Sequence, residues 1–142
     1  MSRVLIIGAG GVASVGFAKC CQNHKVFTHI CLASRTKAKC DALKERWQNK
    51  TSAEIITVQI DAADKAQLIA LMREFKPDVC MHLGLPYHNL IIMEACIACK
   101  VPYLDTATYE PEDTEDPEWL ALYEKRCKET NMVCLMDYAD HQ

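Results

Sequence analysis

Residues 3–13, Arg-Val-Leu-Ile-Ile-Gly-Ala-Gly-Gly-Val-Ala, decide the fold of this chain. The stretch begins with a short, continuous apolar run, which is typical of a strand buried on both faces of a sheet. Glycines then interrupt the run, and a helical pattern follows over residues 11–22. A buried strand, a Gly-x-Gly-x-x-Ala turn and a helix in this order are the pattern of a turn that binds the phosphates of a dinucleotide.

The positions of this turn have distinct expected roles. Gly8 permits the tight turn, Gly10 lets the backbone approach a pyrophosphate, and Ala13 is small enough for the helix to lie close to the strand. The N–H groups at the start of the helix, around Gly11 and Val12, then face the phosphates with the helix dipole behind them. The alternative is a glycine-rich turn that binds nothing.

Strand-like and helical stretches alternate along the rest of the chain. Strands are predicted at residues 3–7, 28–33, 55–60, 78–83, 101–105 and 132–136. Helices are predicted at residues 11–22, 36–48, 90–99 and 119–130, with another after Asp61 or Asp64, either of which can cap it. The alternation indicates an α/β fold: a Rossmann-type doubly wound parallel sheet of about six strands with helices on both faces. We expect one domain over residues 1–137 and a tail at 138–142.

The second strand is followed by Ser34, Arg35 and Thr36, which bear on the choice of cofactor. An NAD site places an acidic side chain here to bind the ribose 2′-hydroxyl. No acid is present to repel a 2′-phosphate, whereas Arg35 can pair with it and both hydroxyls can donate to it. The sequence therefore predicts NADP(H) rather than NAD(H), and it disfavours a binder of S-adenosylmethionine, which also needs that acid. The alternative is that Arg35 is merely a surface residue after a strand. The solvent face of the next helix is expected to carry Lys37, Lys39, Lys44 and Arg46.

Two further segments end at the same edge of the predicted sheet. Asp61 and Ala62 follow the third strand, where adenine binds in such folds, although Asp61 is equally suited to cap a helix. Gly84, Leu85 and Pro86 follow the fourth strand, at the nicotinamide end, where Gly84 allows a close backbone approach. We expect these residues to complete the cofactor site.

The rim beyond the nicotinamide end is expected to meet the substrate, and Tyr87, Asp105 and Thr106 lie on it. His82, in the fourth strand, is either a buried histidine with satisfied hydrogen bonds or a proton donor, and the first interpretation is favoured.

Residues 109–118 carry six acidic residues and two prolines. This composition is typical of a solvated loop, and the alternative is a contact with a substrate amine. The sequence assigns no catalytic residue.

The nine cysteines have to be explained as well. Their odd number and their scattered places on apolar elements favour reduced thiols that pack as small hydrophobic side chains. Cys96 and Cys99 have the spacing of a redox or metal-binding pair, but no second pair accompanies them. We therefore expect no metal site.

Composition limits the classes of function. A net charge of −3 gives no basic field for nucleic acid or an anionic membrane surface. No apolar run approaches the roughly 18 residues of a membrane span, and the first residues lack the pattern of a signal peptide. The sequence therefore predicts a cytoplasmic protein without nucleic-acid or membrane partners.

Together these motifs resemble the saccharopine dehydrogenase-like family, with the nearest likeness to the carboxynorspermidine (carboxyspermidine) dehydrogenases of polyamine synthesis. The resemblance is carried by residues 4–12, 31–36, 76–79, 85–87 with 92–96, and 103–107 with 109–111. The first stretch is common to many Rossmann enzymes, whereas the later ones are more specific in their order and spacing. Ala13, His82, Gly84 and Thr108 stand where the family usually has Gly, Asn, Ala and Asn.

The resemblance implies an NADPH-dependent reduction of an imine that forms between a semialdehyde and an amine, either an amino acid or a diamine. It implies that residues 8–12 hold the pyrophosphate and that residues 34–36 surround the 2′-phosphate. Residues 85–87 and Asp105 match the nicotinamide and substrate rim.

Members of this family continue past the sixth strand with an Asp-Pro-Gly segment and then a domain for substrate binding and dimerisation. The present chain reaches Gln142 without them. Two functions are therefore expected as alternatives: an oxidoreductase domain that acts with that further part, and a truncated, catalytically inactive NADP(H)-binding module. Apolar surface exposed by the absence of a partner domain is expected to favour homo-oligomers.

Overall fold

One parallel sheet organises the computed structural model, which describes residues 2–106, 121–122, 124–125 and 128. Its strands are β1 (Ser2–Ile7), β2 (Phe27–Ser34), β3 (Glu54–Gln59), β4 (Val79–His82) and β5 (Tyr103–Asp105). Their order across the sheet is β3-β2-β1-β4-β5, and every pair is parallel. The chain therefore builds outward from β1 to β3 and then crosses back to place β4 on the other side of β1.

This reversal of the strand order at β1 sets the position of the site. Ile7 at the end of β1 pairs with Ala33 of β2 and with His82 of β4, so the carboxyl ends of these three strands lie level. In doubly wound sheets ligands bind in the crevice outside the strand ends where the order reverses. The predicted Rossmann-type sheet is thus confirmed over its described strands, whose ends differ from the predictions by two residues at most. The predicted strand at 132–136 lies outside the described residues.

The helices that connect these strands are α1 (Gly11–Gln22), α2 (Lys37–Trp47), α3 (Lys65–Phe75) and α4 (Asn89–Cys99). A short 3-10 helix, Pro86–His88, leads into α4. Of the two candidate caps for α3, Asp64 is the one observed, because its carboxylate accepts a hydrogen bond from the backbone N–H of Gln67. Most of the helix predicted at 119–130 lies outside the described residues.

The sheet separates two apolar cores, as its buried central strand requires. Val4 and Ile6 point into a core shared with α1 and α2, whereas Leu5 and Ile7 point into a core shared with α3 and α4. All four side chains are at most 3% exposed. Helices on both faces, as predicted, therefore cover β1 at the centre of the domain.

The described cysteines contribute to these cores as free thiols. Cys20 and Cys31 are buried, and burial raises the pKa of Cys20 to about 11 and that of Cys31 to about 12. Such thiols stay protonated at neutral pH. Cys96 is fully buried and Cys99 is partly exposed, and the two are not joined by a disulfide. Among the described residues no three potential metal-ligating side chains come together.

In the described part of the chain, every helix is too short or too polar to cross a bilayer.

Candidate functional site

A cavity of about 430 Å³ lies at the carboxyl ends of β1, β2 and β4, where the strand order reverses. It is lined by residues 7–12, 34–35, 39, 60, 62, 82–85 and 88. Nine of the residues that the sequence predicts for cofactor binding are brought together here: Gly8, Gly10, Gly11, Val12, Ser34, Arg35, Ala62, Gly84 and Leu85. Segments distant in sequence thus converge on one crevice because parallel strands end at the same edge.

The floor of the cavity is built by close contact between two glycines. Gly8 has a φ of +122°, and a Cβ placed on it would lie 2.7 Å from the backbone nitrogen of Gly84. The turn is fixed by a hydrogen bond from the Gly8 N–H to the Ala33 carbonyl, 2.9 Å, and by one from the Leu83 N–H to the Ile7 carbonyl, 2.9 Å. Only glycine satisfies both the backbone angle and the space at position 8.

Beyond Gly8 the turn opens toward the cavity. A Cβ added at Gly10 or Gly11 would meet no atom within 4 Å. Gly10 is the N-cap of α1 and offers no side chain to the helix end, and the first turn of α1 holds no acidic residue. The first intrahelical donor is the N–H of Ser14, which bonds to the Gly10 carbonyl at 2.9 Å. The preceding N–H groups and the positive end of the helix dipole are therefore available to an anion.

Close packing of α1 on the sheet depends on a residue that the sequence analysis missed. Ala13 is fully buried, as its predicted packing role requires, and it does not line the cavity. Gly16, nearly one turn later, faces Leu83, and a Cβ there would overlap the end of the Leu83 side chain. The lack of a side chain at Gly16 therefore lets α1 pack against Leu83, the residue that follows β4. The signal was its three-residue spacing from Ala13, the spacing of side chains on one helix face.

The charged residues that line the cavity are all positive. Arg35 and Lys39 are its charged side chains, and none of the residues that line it is acidic. Lys39 is exposed, as expected for the solvent face of its helix, and it also borders the cavity. Lys37 instead forms an ion pair with Asp41, at 2.9 Å. The crevice thus combines a helix N-terminus with two cations, an arrangement that attracts phosphate groups.

A second, shallower cavity adjoins the first and shares Arg35 and Ile60 with it. Gln59, Asp61 and Gln67 complete its lining, and its volume is about 520 Å³. The Asp61 carboxylate accepts from the N–H of Ala63 at 2.9 Å, so it stabilises the turn before α3. A contact between Asp61 and adenine remains a prediction, and the position of Asp61 beside Arg35 is compatible with it.

At the other end of the cavity a buried polar chain joins β4 to β5. The Tyr103 hydroxyl donates to Asp105 at 2.7 Å and lies 3.3 Å from His82 Nδ1. Burial lowers the pKa of His82 to about 4, although a hydrogen bond with Asn89 acts in the opposite direction. His82 is therefore neutral at physiological pH, in keeping with the favoured interpretation of a buried histidine.

The residues predicted for the substrate rim are not gathered in the cavity. Asp105 is fully buried against Tyr103 and does not line the cavity, whereas Thr106 is exposed. Leu85 and Tyr87 are 69% and 58% exposed, so apolar surface borders the mouth. Thr36, predicted beside the 2′-phosphate, is exposed and lies outside the lining. Substrate contacts by Tyr87, Asp105 and Thr106 therefore stay predictions.

The strand order, the glycine turn and the acid-free crevice at the α1 N-terminus define a Rossmann-type dinucleotide-binding domain. The model of the saccharopine dehydrogenase NADP-binding domain matches residues 4–135. The chain belongs to this family, and its cofactor is a nicotinamide dinucleotide.

Two similar proteins are enzymes of greater length. The chain is 38% identical over 138 residues to a carboxyaminopropylagmatine dehydrogenase of Synechocystis sp., covering 96% of this chain and 34% of that enzyme. It is 41% identical over 109 residues to a carboxynorspermidine synthase of Vibrio alginolyticus, covering 73% of this chain and 26% of that enzyme. The chain thus spans about a third or less of these relatives.

Solved structures show the same fold. Apo saccharopine dehydrogenase (L-Glu forming) from Saccharomyces cerevisiae superposes with a TM-score of 0.69 and 19% identity, over 94% of this chain and 26% of that one. Apo scyllo-inositol dehydrogenase from Lactobacillus casei superposes with a TM-score of 0.68 and 11% identity, over 97% of this chain and 36% of that one. The predicted family and fold are both confirmed.

Proposed function

We propose that this chain is the NADP(H)-binding domain of a dehydrogenase that reduces an imine formed from a semialdehyde and an amine. The observation that carries the proposal is the N-terminus of α1, which opens into a crevice lined by Arg35 and by no acidic residue. A dinucleotide with an additional phosphate carries more negative charge than NAD(H), and this crevice offers positive charge without an opposing carboxylate.

The lining residues suit each part of such a cofactor, from the pyrophosphate and the 2′-phosphate to the adenine and the nicotinamide. The open space above Gly10 and Gly11 would admit a pyrophosphate next to backbone N–H groups. Arg35 and Ser34, at the end of β2, would hold the 2′-phosphate. The cavity beside Asp61 would take the adenine, and the Gly84–Leu85 segment would border the nicotinamide.

In the proposed reaction the bound cofactor supplies a hydride. The contribution of this chain is to bind and to orient: the Gly8 turn and the start of α1 fix the phosphates, and the end of β4 fixes the opposite side of the crevice. The two relatives are a dehydrogenase and a synthase named for carboxylated polyamines. By this likeness the amine is a diamine or a related compound, which this chain would meet beyond the exposed Leu85 and Tyr87.

A second candidate is an NADP(H)-binding module without turnover of its own. It is favoured by the coverage of the relatives, of which this chain spans 34% and 26%. A catalytic site must hold the imine in near-attack geometry, and correct placement can supply roughly 7–11 kcal/mol of a barrier. Tight NADPH binding without oxidation in the presence of aspartate semialdehyde and a diamine would support the module, whereas turnover would support the complete activity.

The cofactor preference is tested by titrating the protein with NADPH and with NADH and recording the fluorescence of the reduced nicotinamide. We expect tighter binding of NADPH, because a charge-assisted hydrogen bond contributes about 1.5–3 kcal/mol, or roughly tenfold to a hundredfold in affinity. Arg35→Gln should remove most of this preference. Arg46→Gln is the matched control, since Arg46 is an exposed arginine of α2 outside both cavity linings. Equal affinities for NADPH and NADH in the unmodified protein would refute the proposal.

A further inference from the structure

Three basic residues follow β2 within five positions, but they do not have the same surroundings. Arg35 and Lys39 line the main cavity, whereas Lys37 does not. Residues two apart on a helix are rotated by about 200° from each other, so Lys37 and Lys39 face opposite sides of α2. The helix thus directs one lysine toward the cofactor crevice and the other away from it.

Lys37 is held by partners within the fold. Its ammonium contacts both carboxylate oxygens of Asp41, at 3.0 and 2.9 Å, and lies 3.5 Å from the Thr57 hydroxyl on β3. The hydrogen bonds from Thr57 and Lys37, in that order, lower the pKa of the Asp41 carboxyl. Asp41 is therefore ionised at neutral pH, and its charge offsets that of Lys37.

Lys39 has a different position. Its side chain is exposed at the edge of the cavity, and within the described residues it takes part in no salt bridge. A phosphate that met Lys39 would not have to break an existing ion pair, whereas a phosphate that recruited Lys37 would have to compete with Asp41. The free charge of Lys39 is thus the more effective one for a ligand in the crevice.

The charge of the ligand calls for more than one cation. A phosphate monoester carries about −1.5 to −2 at neutral pH, so a single guanidinium does not neutralise it. Arg35 also lines the second cavity, so this residue lies at the boundary between the two. Lys39 lines only the main cavity, close to Ser34 and Arg35 along the chain.

We infer that Lys39 is a second determinant of the preference for NADP(H), with its ammonium paired to the 2′-phosphate beside Arg35. The inference rests on the proposed function, since it assigns one more residue to the same site. It predicts that Lys39 contributes to the binding of NADPH and not to the binding of NADH, which lacks that phosphate.

The test compares Lys39→Gln with Lys37→Gln, because each removes one positive charge from the same segment of α2. Dissociation constants for NADPH and NADH are measured at low ionic strength from the fluorescence of the reduced nicotinamide, and thermal unfolding confirms that each variant is folded. We expect K39Q to weaken NADPH binding roughly tenfold and NADH binding by less than about twofold. K37Q should change neither affinity by more than about twofold, and Lys39→Arg, which keeps the charge, should retain the preference.

The measurements distinguish failure of the inference about Lys39 from failure of the proposed function. If the unmodified protein prefers NADPH and K39Q behaves like K37Q, the inference about Lys39 is overturned and the proposed function stands. Equal weakening of NADPH and NADH by K39Q also overturns it, because Lys39 would then contact a part common to both cofactors. If the unmodified protein binds NADPH no more tightly than NADH, the proposed function itself fails.

Discussion

Substitution of Gly10 by alanine separates cofactor binding from folding. Gly10 has φ −84° and ψ −162°, angles that any residue adopts, and a Cβ at this position would meet no atom within 4 Å. The methyl group therefore introduces no clash within the fold. Alanine is a poorer N-cap than glycine, which lowers the free energy of unfolding by some tenths of a kcal/mol. The reduced conformational freedom of the unfolded chain raises it by about 0.4–1 kcal/mol. The free energy of unfolding should thus change by less than about 1 kcal/mol.

The same methyl group would occupy the space in which we place the pyrophosphate. G10A should therefore weaken NADPH binding at least tenfold, which corresponds to about 1.4 kcal/mol. Fluorescence titration measures this loss, and urea denaturation of the same preparation measures the stability. G10A that binds NADPH as tightly as the unmodified protein would refute the placement of the phosphates at this turn.

Gly8→Ala supplies the contrasting variant. At φ +122° an alanine costs about 1–3 kcal/mol of backbone strain, and its Cβ would lie 2.7 Å from the Gly84 nitrogen, so backbone must also shift. This loss is a large part of the roughly 5–15 kcal/mol that stabilises a domain. G8A should therefore lower the melting temperature by at least about 5 °C. If G8A melted like the unmodified protein, the close contact between the two glycines would not be as described.

Two further predictions concern stability. Asp64→Ala removes the side chain that caps α3 by accepting from the Gln67 N–H at 3.2 Å, so urea denaturation should show a loss of about 1 kcal/mol, and an unchanged midpoint would contradict the cap. Burial holds the pKa of His82 at about 4, below its ordinary 6.5. Between these pH values the unfolded chain binds more protons than the folded one. Stability should therefore fall by up to roughly 3 kcal/mol as the pH drops from 6.5 to 4. His82→Gln should lose that share of the pH dependence, and an identical profile in H82Q would contradict a buried neutral imidazole.

The fold and the glycine turn after β1 could be predicted because their signals are local. The apolar run of β1 is continuous since both faces are covered, and Gly8 is a glycine since its backbone angle requires one. The place of Arg35 in the cavity lining could be predicted for the same reason, because the residue that follows β2 is placed by the strand itself. Such features depend on a few neighbouring residues and on the order of the elements.

The remaining site features depend on contacts between distant segments. Lys39 borders a cavity formed by segments distant from it in sequence, and Gly16 is needed because Leu83, the residue after β4, packs against it. A carboxylate at a strand end is typical of an exposed site residue, yet Asp105 is fully buried, and one of its oxygens accepts a hydrogen bond from the Tyr103 hydroxyl. Sequence patterns give the face of an element but not the partner that packs against it.

A crystal structure of the protein with NADP⁺ tests the proposed cofactor site most directly. The proposed site requires pyrophosphate oxygens within about 3 Å of the backbone nitrogens of Gly11 and Val12, and the 2′-phosphate beside Arg35. A cofactor bound elsewhere on the surface, or a crevice at the start of α1 that stays closed by side chains at saturating NADP⁺, would contradict it.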